Sequence, residues 1–343
     1  MILYMASDLN PLICVPLWKQ PTYKPAIYLK YGRFKLDSLC EKEVEARFRF
    51  KKAHLPRLLN VLNVPDRIIC PDRTAADKME ALCIFLQRMA YPNRLCEMEK
   101  EFGRSSTSLS FLANTFAQEL MDAHGHLLSD IQQPWIVDNL QEFADSIHKK
   151  GAAMTNIWGF IDGTVRPICR PTHNQRLVYN GHKRTHSLNY QSVVLPNGLI
   201  ANMYGPIEGR RHDAGMLRES GLLPLIEGFE RNGEPMALYG DPAYPLRPQL
   251  VTPYRGDLTD EQEAFNRSMS MARVSVEWIF GKIVTYWPFI DFKKNQKLYL
   301  QPVGLYYLTC ALLTNFHTCL YGSEVGNFFN LQPPSLEDYI QGN

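Results

Sequence analysis

The first half of the chain carries the residue spacing of amphipathic helices. Apolar residues recur every three or four positions between residues 81 and 89 and again between 109 and 120, which gives each helix one apolar face. A short helix is predicted before Gly103, which ends it, and a hydroxyl of Ser105 or Ser106 is predicted to cap the next one. Helix, short turn and helix together form the outline of a helix-turn-helix.

The second half begins with short apolar runs that are typical of strands. Residues 158–162 predict a buried strand that ends in a carboxylate, and residues 236–239 predict another. Between them, the segments 192–195 and 199–204 flank a Pro-Asn-Gly turn, which is the pattern of a β-hairpin. Helices are predicted at 260–283 and 303–316. We therefore expect an α/β fold in which helices flank a mixed sheet.

These changes of pattern divide the chain into five segments. Its 343 residues are enough for about two domains. A break is placed at Pro134, because proline ends a preceding helix. The predicted segments are an N-terminal arm (1–40), an all-α, helix-turn-helix-like domain (41–133), a connecting helix (134–153), a second, α/β domain (154–320) and a C-terminal tail (321–343).

Composition excludes several classes of protein. Apolar residues make up 45% and charged residues 21% of the chain, which is an ordinary globular balance. The net charge is +2, so any case for nucleic-acid binding has to be local. No apolar run is long enough to span a membrane, and the first residues carry no charged segment ahead of an apolar core. The eight cysteines form no CxxC motif, so we expect reduced, intracellular thiols.

Four acidic residues are the candidate reactive groups. Asp162 and Asp241 each follow a predicted strand, Asp213 follows a histidine, and Glu277 lies in the long predicted helix. Carboxylates that converge repel one another and need a cation. Two Mg²⁺ or Mn²⁺ ions would supply that charge and would suit phosphodiester cleavage. Taken singly, an aspartate before glycine or proline is more often a turn residue.

Several ordered blocks of this sequence resemble those of the DDE transposases of the PIF/Harbinger superfamily. The helical segment 73–120 is also similar to that family, and the resemblance covers about residues 45–320. The blocks are Gly159–Thr164, Tyr179–His186, Gly209–Ala214, Leu238–Tyr244, Arg273–Gly281 and Thr314–Phe316.

The resemblance implies a ribonuclease-H-like fold and an enzyme that cleaves DNA and joins its 3′-hydroxyl ends to target DNA. It implies catalytic roles for Asp162, Asp241 and Glu277 with two Mg²⁺ or Mn²⁺ ions. Asp213 is either a fourth metal ligand or the second acid of the triad, and both assignments stay open. The family also implies nuclear location, assembly of several subunits on DNA, and a Myb/SANT-like companion protein.

A basic segment follows the first aspartate. No acidic residue occurs between Asp162 and Glu208, so phosphate binding is expected there. A solvated hairpin face and a zinc site built from Cys169, His173, His182 and His186 are the alternatives. The candidate DNA-binding residues are Arg166, Arg170, Arg176, His182, Lys183, Arg184, His186, Arg210 and Arg211.

Two other functions remain open from the sequence. A domesticated protein could bind DNA or act as a scaffold without catalysis, because acidic residues can persist without turnover. A nuclease could also hydrolyse DNA without joining strands. The helix-turn-helix carries little excess positive charge: residues 41–133 hold thirteen basic and thirteen acidic residues.

Overall fold

The computed structural model describes residues 27–231 and 233–342. Residues 1–26 of the predicted arm therefore lie outside the described residues. The remainder of the arm includes a short helix, α1 (Ile27–Tyr31), and a 3₁₀ turn at Leu36–Ser38.

Helices dominate the first half, with one small hairpin among them. The two strands, β1 (Arg67–Ile69) and β2 (Ala75–Asp77), pair antiparallel. The helices that follow α1 are α2 (Glu41–Phe48), α3 (His54–Leu62), α4 (Lys78–Ala90), α5 (Leu95–Phe102), α6 (Ser106–His124), α7 (Pro134–Val137) and α8 (Leu140–Lys149).

Strands and helices alternate in the second half. The strands are β3 (Ile157–Pro167), β4 (Tyr179–Asn180), β5 (Thr185–Val194), β6 (Ile200–Glu208), β7 (Glu230–Arg231), β8 (Glu234–Pro235), β9 (Ala237–Gly240) and β10 (Leu250–Val251). The helices are α9 (Gln175–Val178), α10 (Asp213–Ser220), α11 (Leu222–Ile226), α12 (Asp260–Tyr286), α13 (Val303–Tyr321), α14 (Glu324–Phe329) and α15 (Leu336–Gln341).

The helix, turn and helix predicted in the first half are present as α4, α5 and α6. Gly103 ends α5 in the left-handed conformation, with φ +59°. The Ser105 hydroxyl accepts a hydrogen bond from the N–H of Ser108 at 3.2 Å and caps α6. The hairpin β1–β2 was not predicted, so this half is not all-α. Its strands are too short to show an alternating pattern, and the Asp72 carboxylate holds the turn by accepting from the N–H of Thr74.

The main sheet is mixed. Strands β3, β5 and β6 pair antiparallel in sequence, β9 lies parallel to β3 on its other side, and β10 lies parallel to β9. The short strand β4 pairs with the first residues of β5. Three antiparallel strands followed by two parallel ones are consistent with a ribonuclease-H-like fold. The predicted turn between β5 and β6 is confirmed, and Gly198 adopts φ +86° there.

Helices cover the sheet, and the hydrophobic core is continuous. Helix α8 packs on β3, α12 contacts β3 and β9, and α13 lies between β6 and α6. One cluster of buried side chains extends from Val44 to Tyr339. The two predicted domains therefore share a core. Among the described helices, none is long and apolar enough to cross a membrane.

Three boundaries differ from the prediction. Strand β3 does not end at Asp162 but continues to Pro167, because β5 pairs with it along that whole length. The connecting segment contains two helices, α7 and α8, in place of one. The predicted C-terminal tail folds into α14 and α15, which bury apolar side chains such as Leu336 against the core.

Candidate active site

The pairing of β3 with β9 brings two aspartates together. The parallel register joins Ile161 to Gly240, and β9 ends there. Asp162 and Asp241 are the next residues of their chains, so they lie side by side where β9 stops. Asp241 Oδ1 then accepts a hydrogen bond from the N–H of Ala243 at 2.8 Å, which turns the chain away from the sheet. Asp162 therefore lies at the end of its neighbour strand and not of its own.

A third aspartate approaches from the first residue of α10. A Cβ atom added to Gly163 would lie 2.5 Å from Oδ1 of Asp213. A side chain at position 163 would therefore displace that carboxylate from the backbone that follows Asp162. The structure therefore brings Asp162, Asp213 and Asp241 into one cluster, which we call the aspartate cluster.

The electrostatics of the aspartate cluster are those of crowded, shielded carboxylates. Burial and, to a smaller extent, the negative charges of Asp241 and Asp213 raise the pKa of Asp162 to about 6. Burial and the charge of Asp241 also raise the pKa of Asp213. Both effects disfavour the ionised form, so the cluster is set to accept positive charge.

Arg273 of α12 already supplies one positive charge. Its Nη1 lies 3.3 Å from Oδ2 of Asp162, and both side chains are largely shielded from solvent. This ion pair opposes the burial effect by lowering the pKa of Asp162. This role of Arg273 was not predicted from the sequence, where the residue begins the block Arg273–Gly281. Its position four residues before Glu277, on the same face of a helix, was the available signal.

Glu277 lies apart from this contact. It is exposed on α12, one helical turn beyond Arg273, and lines a cavity together with Trp278 and Lys282. Within residues 27–231 and 233–342, no three acidic, histidine or cysteine side chains are arranged closely enough to hold a metal ion. The catalytic role of Glu277 therefore stays a prediction, and the suggested zinc site at Cys169 and its histidines is not assembled.

Comparison with known proteins shows which proteins this chain is similar to. Residues 161–315 match the family model of the DDE superfamily endonucleases, a span that contains all four candidate acids. "Protein ALP1-like" from Arabidopsis thaliana is 25% identical over 279 residues, which covers 76% of this chain and 63% of that protein. Over residues 161–315, this chain is therefore similar to the DDE superfamily endonucleases. It spans about 63% of the length of the curated relative that it matches, and no solved structure matches it.

Endonucleases of the DDE superfamily generally use divalent metal ions. The donor set of this chain fits such ions in its chemistry, because carboxylate oxygens are the ligands that Mg²⁺ and Mn²⁺ prefer. In this structure the Arg273 guanidinium supplies positive charge next to Asp162. The side chains that would hold the metal are those of the aspartate cluster and Glu277, and they would have to move closer together to coordinate it.

Cations lie beside the aspartate cluster. A groove of about 580 Å³ runs from Gly163 and Thr164 to Lys183 and Lys293. The Lys293 ammonium donates to the Thr185 hydroxyl at 3.0 Å, which fixes it at the groove. A positively charged groove thus begins next to Asp162.

The predicted DNA-binding residues fall into two groups. Most are exposed, while His186 is partly buried against the ring of Tyr179. Arg166 is held within the fold by Thr164 and Asp291, and Arg211 pairs with Glu208 and Glu219. The exposed members are Arg170, Arg176, His182, Lys183, Arg184 and Arg210.

Proposed function

We propose that this chain is a metal-dependent DNA nuclease and strand transferase, which cleaves phosphodiester bonds and joins 3′-hydroxyl ends to target DNA. The observation that carries the proposal is the aspartate cluster. Residues distant in the sequence, at positions 162, 213 and 241, meet where β9 ends, and their charges act on one another. Similarity to the DDE superfamily endonucleases supports the same activity.

Each part of the site has a role in this proposal. Asp162, Asp213, Asp241 and Glu277 would hold two Mg²⁺ or Mn²⁺ ions. Bound there, the ions would activate the attacking hydroxyl and stabilise the leaving oxygen. Because Asp162 is rigidly paired in β3 opposite Ser192, it sets the position of the site relative to the sheet. Arg273 would hold the Asp162 carboxylate in place before DNA binds.

The basic groove supports DNA as the substrate. Lys183 and Lys293 line it within reach of Gly163, the neighbour of Asp162. Phosphates are bound mainly by such cations, with release of counterions. We infer that the DNA backbone follows this groove towards the aspartate cluster. The exposed cations Arg170, Arg176 and Arg184 would extend the contact along the duplex.

Cleavage by purified protein tests the proposal. The parent protein should nick supercoiled plasmid DNA with Mn²⁺ or Mg²⁺ and leave it intact with EDTA. Asp241→Ala and Glu277→Ala should each slow nicking by about 100-fold or more, with unchanged melting curves. Asp257→Ala, which removes an exposed carboxylate, serves as the matched control and should nick like the parent. If Asp241→Ala nicked DNA as fast as the parent, the catalytic role proposed for Asp241 would be wrong.

The same assay separates the two alternatives. Analysis of the products for new joints between 3′ ends and target strands distinguishes a strand transferase from a nuclease that only hydrolyses. DNA binding that needs no metal, together with no cutting by the parent, would instead show a domesticated DNA-binding or scaffold protein.

The biological setting is proposed on the same basis. We place the protein in the nucleus, acting on element ends and target DNA as an oligomer, with a Myb/SANT-like companion protein. Light scattering with and without a DNA duplex tests the oligomer, since assembly should require the duplex. A monomeric complex with DNA would contradict it.

A further inference from the structure

A second cavity lies between α12, α13 and α14. Its volume is about 620 Å³, within the range of small-molecule sites. Aromatic and charged side chains share its wall: Trp278, Lys282, Tyr286, His317, Tyr321 and Glu324. The proposed cleavage reaction assigns none of these six side chains a role.

His317 is the residue of this cavity that most clearly indicates a ligand. It is only 7% exposed, and its ring lies between those of Tyr286 and Tyr321, at centroid distances of 4.2 and 4.4 Å. Its Nδ1 atom has no hydrogen-bond partner among the described residues. Leaving a buried polar atom unpaired is costly, and such atoms are rare in folded proteins. A ligand in the cavity would supply the missing partner.

Lys282 offers a second polar contact. Its ammonium donates to the Thr318 hydroxyl at 2.9 Å and to the Gly322 carbonyl at 3.1 Å. An ammonium carries three donors, so among the described contacts one N–H remains for a ligand. Burial lowers the pKa of Lys282 to about 8, so the side chain is still mostly protonated at neutral pH.

The cavity begins beside the candidate active site. Glu277 lines it and lies four residues, about one helical turn, beyond Arg273. Arg273 in turn contacts Asp162. A group held in the cavity would therefore lie next to DNA bound at the aspartate cluster.

The side chains that line the cavity limit the kinds of ligand that it can bind. A purely apolar ligand would leave the Lys282 donor and the His317 nitrogen unpaired. A small inorganic anion would not cover the aromatic faces, and it would face the carboxylate of Glu324. A nucleobase has π-faces that stack on aromatic rings, acceptors for an ammonium, and in most bases an exocyclic amino group that a carboxylate can accept.

We propose that this cavity binds a nucleobase with an exocyclic amino group, between the aromatic rings and in contact with Lys282, His317 and Glu324. The base comes either from a free nucleoside or from an unpaired position in DNA. The second source rests on the proposed function, and the first does not.

The first experiment uses nucleosides and the full chain without metal. Calorimetry should detect binding of deoxyadenosine, weaker binding of thymidine, which lacks the amino group, and no binding of deoxyribose. Trp278→Ala and Lys282→Met should each weaken deoxyadenosine binding about 10-fold. Met271→Ala, a change at an exposed apolar residue of the same helix outside the cavity wall, should leave it unchanged. Melting curves check that each variant folds.

The second experiment identifies the source of the base. Two duplexes in EDTA carry either one unpaired 2-aminopurine or an abasic site at the same position. Tighter binding and quenched fluorescence of the 2-aminopurine duplex, both lost in Trp278→Ala, would show that the site takes a base from DNA. Equal affinity for the two duplexes, with deoxyadenosine still bound, would identify a nucleoside site.

The outcomes separate this inference from the proposed function. The nucleobase site would be overturned, even if the protein cleaves DNA, by equal affinity for deoxyadenosine and deoxyribose. It would also be overturned if Trp278→Ala bound deoxyadenosine as tightly as the parent does. Failure to cleave or bind duplex DNA would overturn the proposed function. The nucleoside experiment would still decide whether the cavity binds a nucleobase.

Discussion

Burial shifts the pKa values of two shielded side chains, Asp162 and His317, in opposite directions. It raises the pKa of Asp162 to about 6 and lowers the pKa of His317 to about 3. The charged form is the one that loses hydration in both cases. Both shifts therefore move the equilibrium towards the neutral form, relative to the ordinary pKa of each residue. A cation at Asp162 would oppose that shift, and a hydrogen-bonding ligand at His317 would complete its contacts.

His317 gives a prediction for the pH dependence of stability. Its pKa is lower in the folded than in the unfolded protein, so the unfolded state binds the extra proton and stability falls as pH drops from about 6.5 towards 3. Between pH 7 and 5, His317 should account for a loss of about 2 kcal/mol. His317→Phe should remove that part of the loss, as measured by denaturant unfolding at both pH values.

The control for this prediction is His173→Asn, which replaces an exposed histidine and should keep the pH dependence of the parent. If His317→Phe lost as much stability between pH 7 and 5 as the parent does, the buried histidine would not be neutral in the folded state.

At the scale of elements, α6 is anchored within the molecule. The Asn114 side chain accepts a hydrogen bond from the Tyr306 hydroxyl of α13. Just before α6, Arg104 forms two hydrogen bonds, of 2.6 and 2.7 Å, with Glu80 of α4. Arg104, the cation that directly precedes α6, is thus engaged inside the fold. Thr107 and Gln118 remain on the exposed face of α6.

Arg104→Ala tests the structural role of this ion pair. The Glu80 carboxylate, only 12% exposed, would lose its partner, so we expect a loss of about 2 kcal/mol in the free energy of unfolding. A double-mutant cycle with Glu80→Ala should give a coupling energy of about 1 to 2 kcal/mol. Weakened DNA binding at unchanged stability would instead assign Arg104 to DNA.

At the scale of the whole molecule, a helix of the first half is joined to the last described helix. Arg57 of α3 binds Glu337 of α15 through two hydrogen bonds, of 2.7 and 2.6 Å. Tyr339 of α15 is fully buried, and its hydroxyl accepts from the Asn315 amide at 2.8 Å. Asn315 in turn bonds the backbone of Ile200 in β6. The C-terminal helix therefore stabilises the sheet that carries Asp162.

Tyr339→Ala should destabilise the whole protein. Removing a fully buried aromatic side chain costs about 3 to 5 kcal/mol, and the loss should appear in a single unfolding transition because the core is continuous. Gln332→Ala, at an exposed position before α15, should change stability little. If Tyr339→Ala unfolded like the parent, the buried contacts of α15 would not contribute to the stability of the protein.

Short-range rules account for what the sequence predicted correctly. The start of α12 at Asp260, the Ser105 cap and the turn at Gly198 each depend on residues within a few positions of one another. The order of the acidic blocks was also readable, and it led to the DDE endonucleases, whose family model matches residues 161–315.

The tertiary structure alone decided which groups meet. The length of β3 depends on β5, and the meeting of Asp162 with Asp241 depends on the register of β3 with β9. The Arg273 contact and the cavity at His317 likewise join segments that are far apart in the chain. Helix periodicity and capping are local, whereas burial and the distance between charges arise only when distant segments pack. The sequence by itself could therefore name the candidate acids, and only the fold could show which of them share a site.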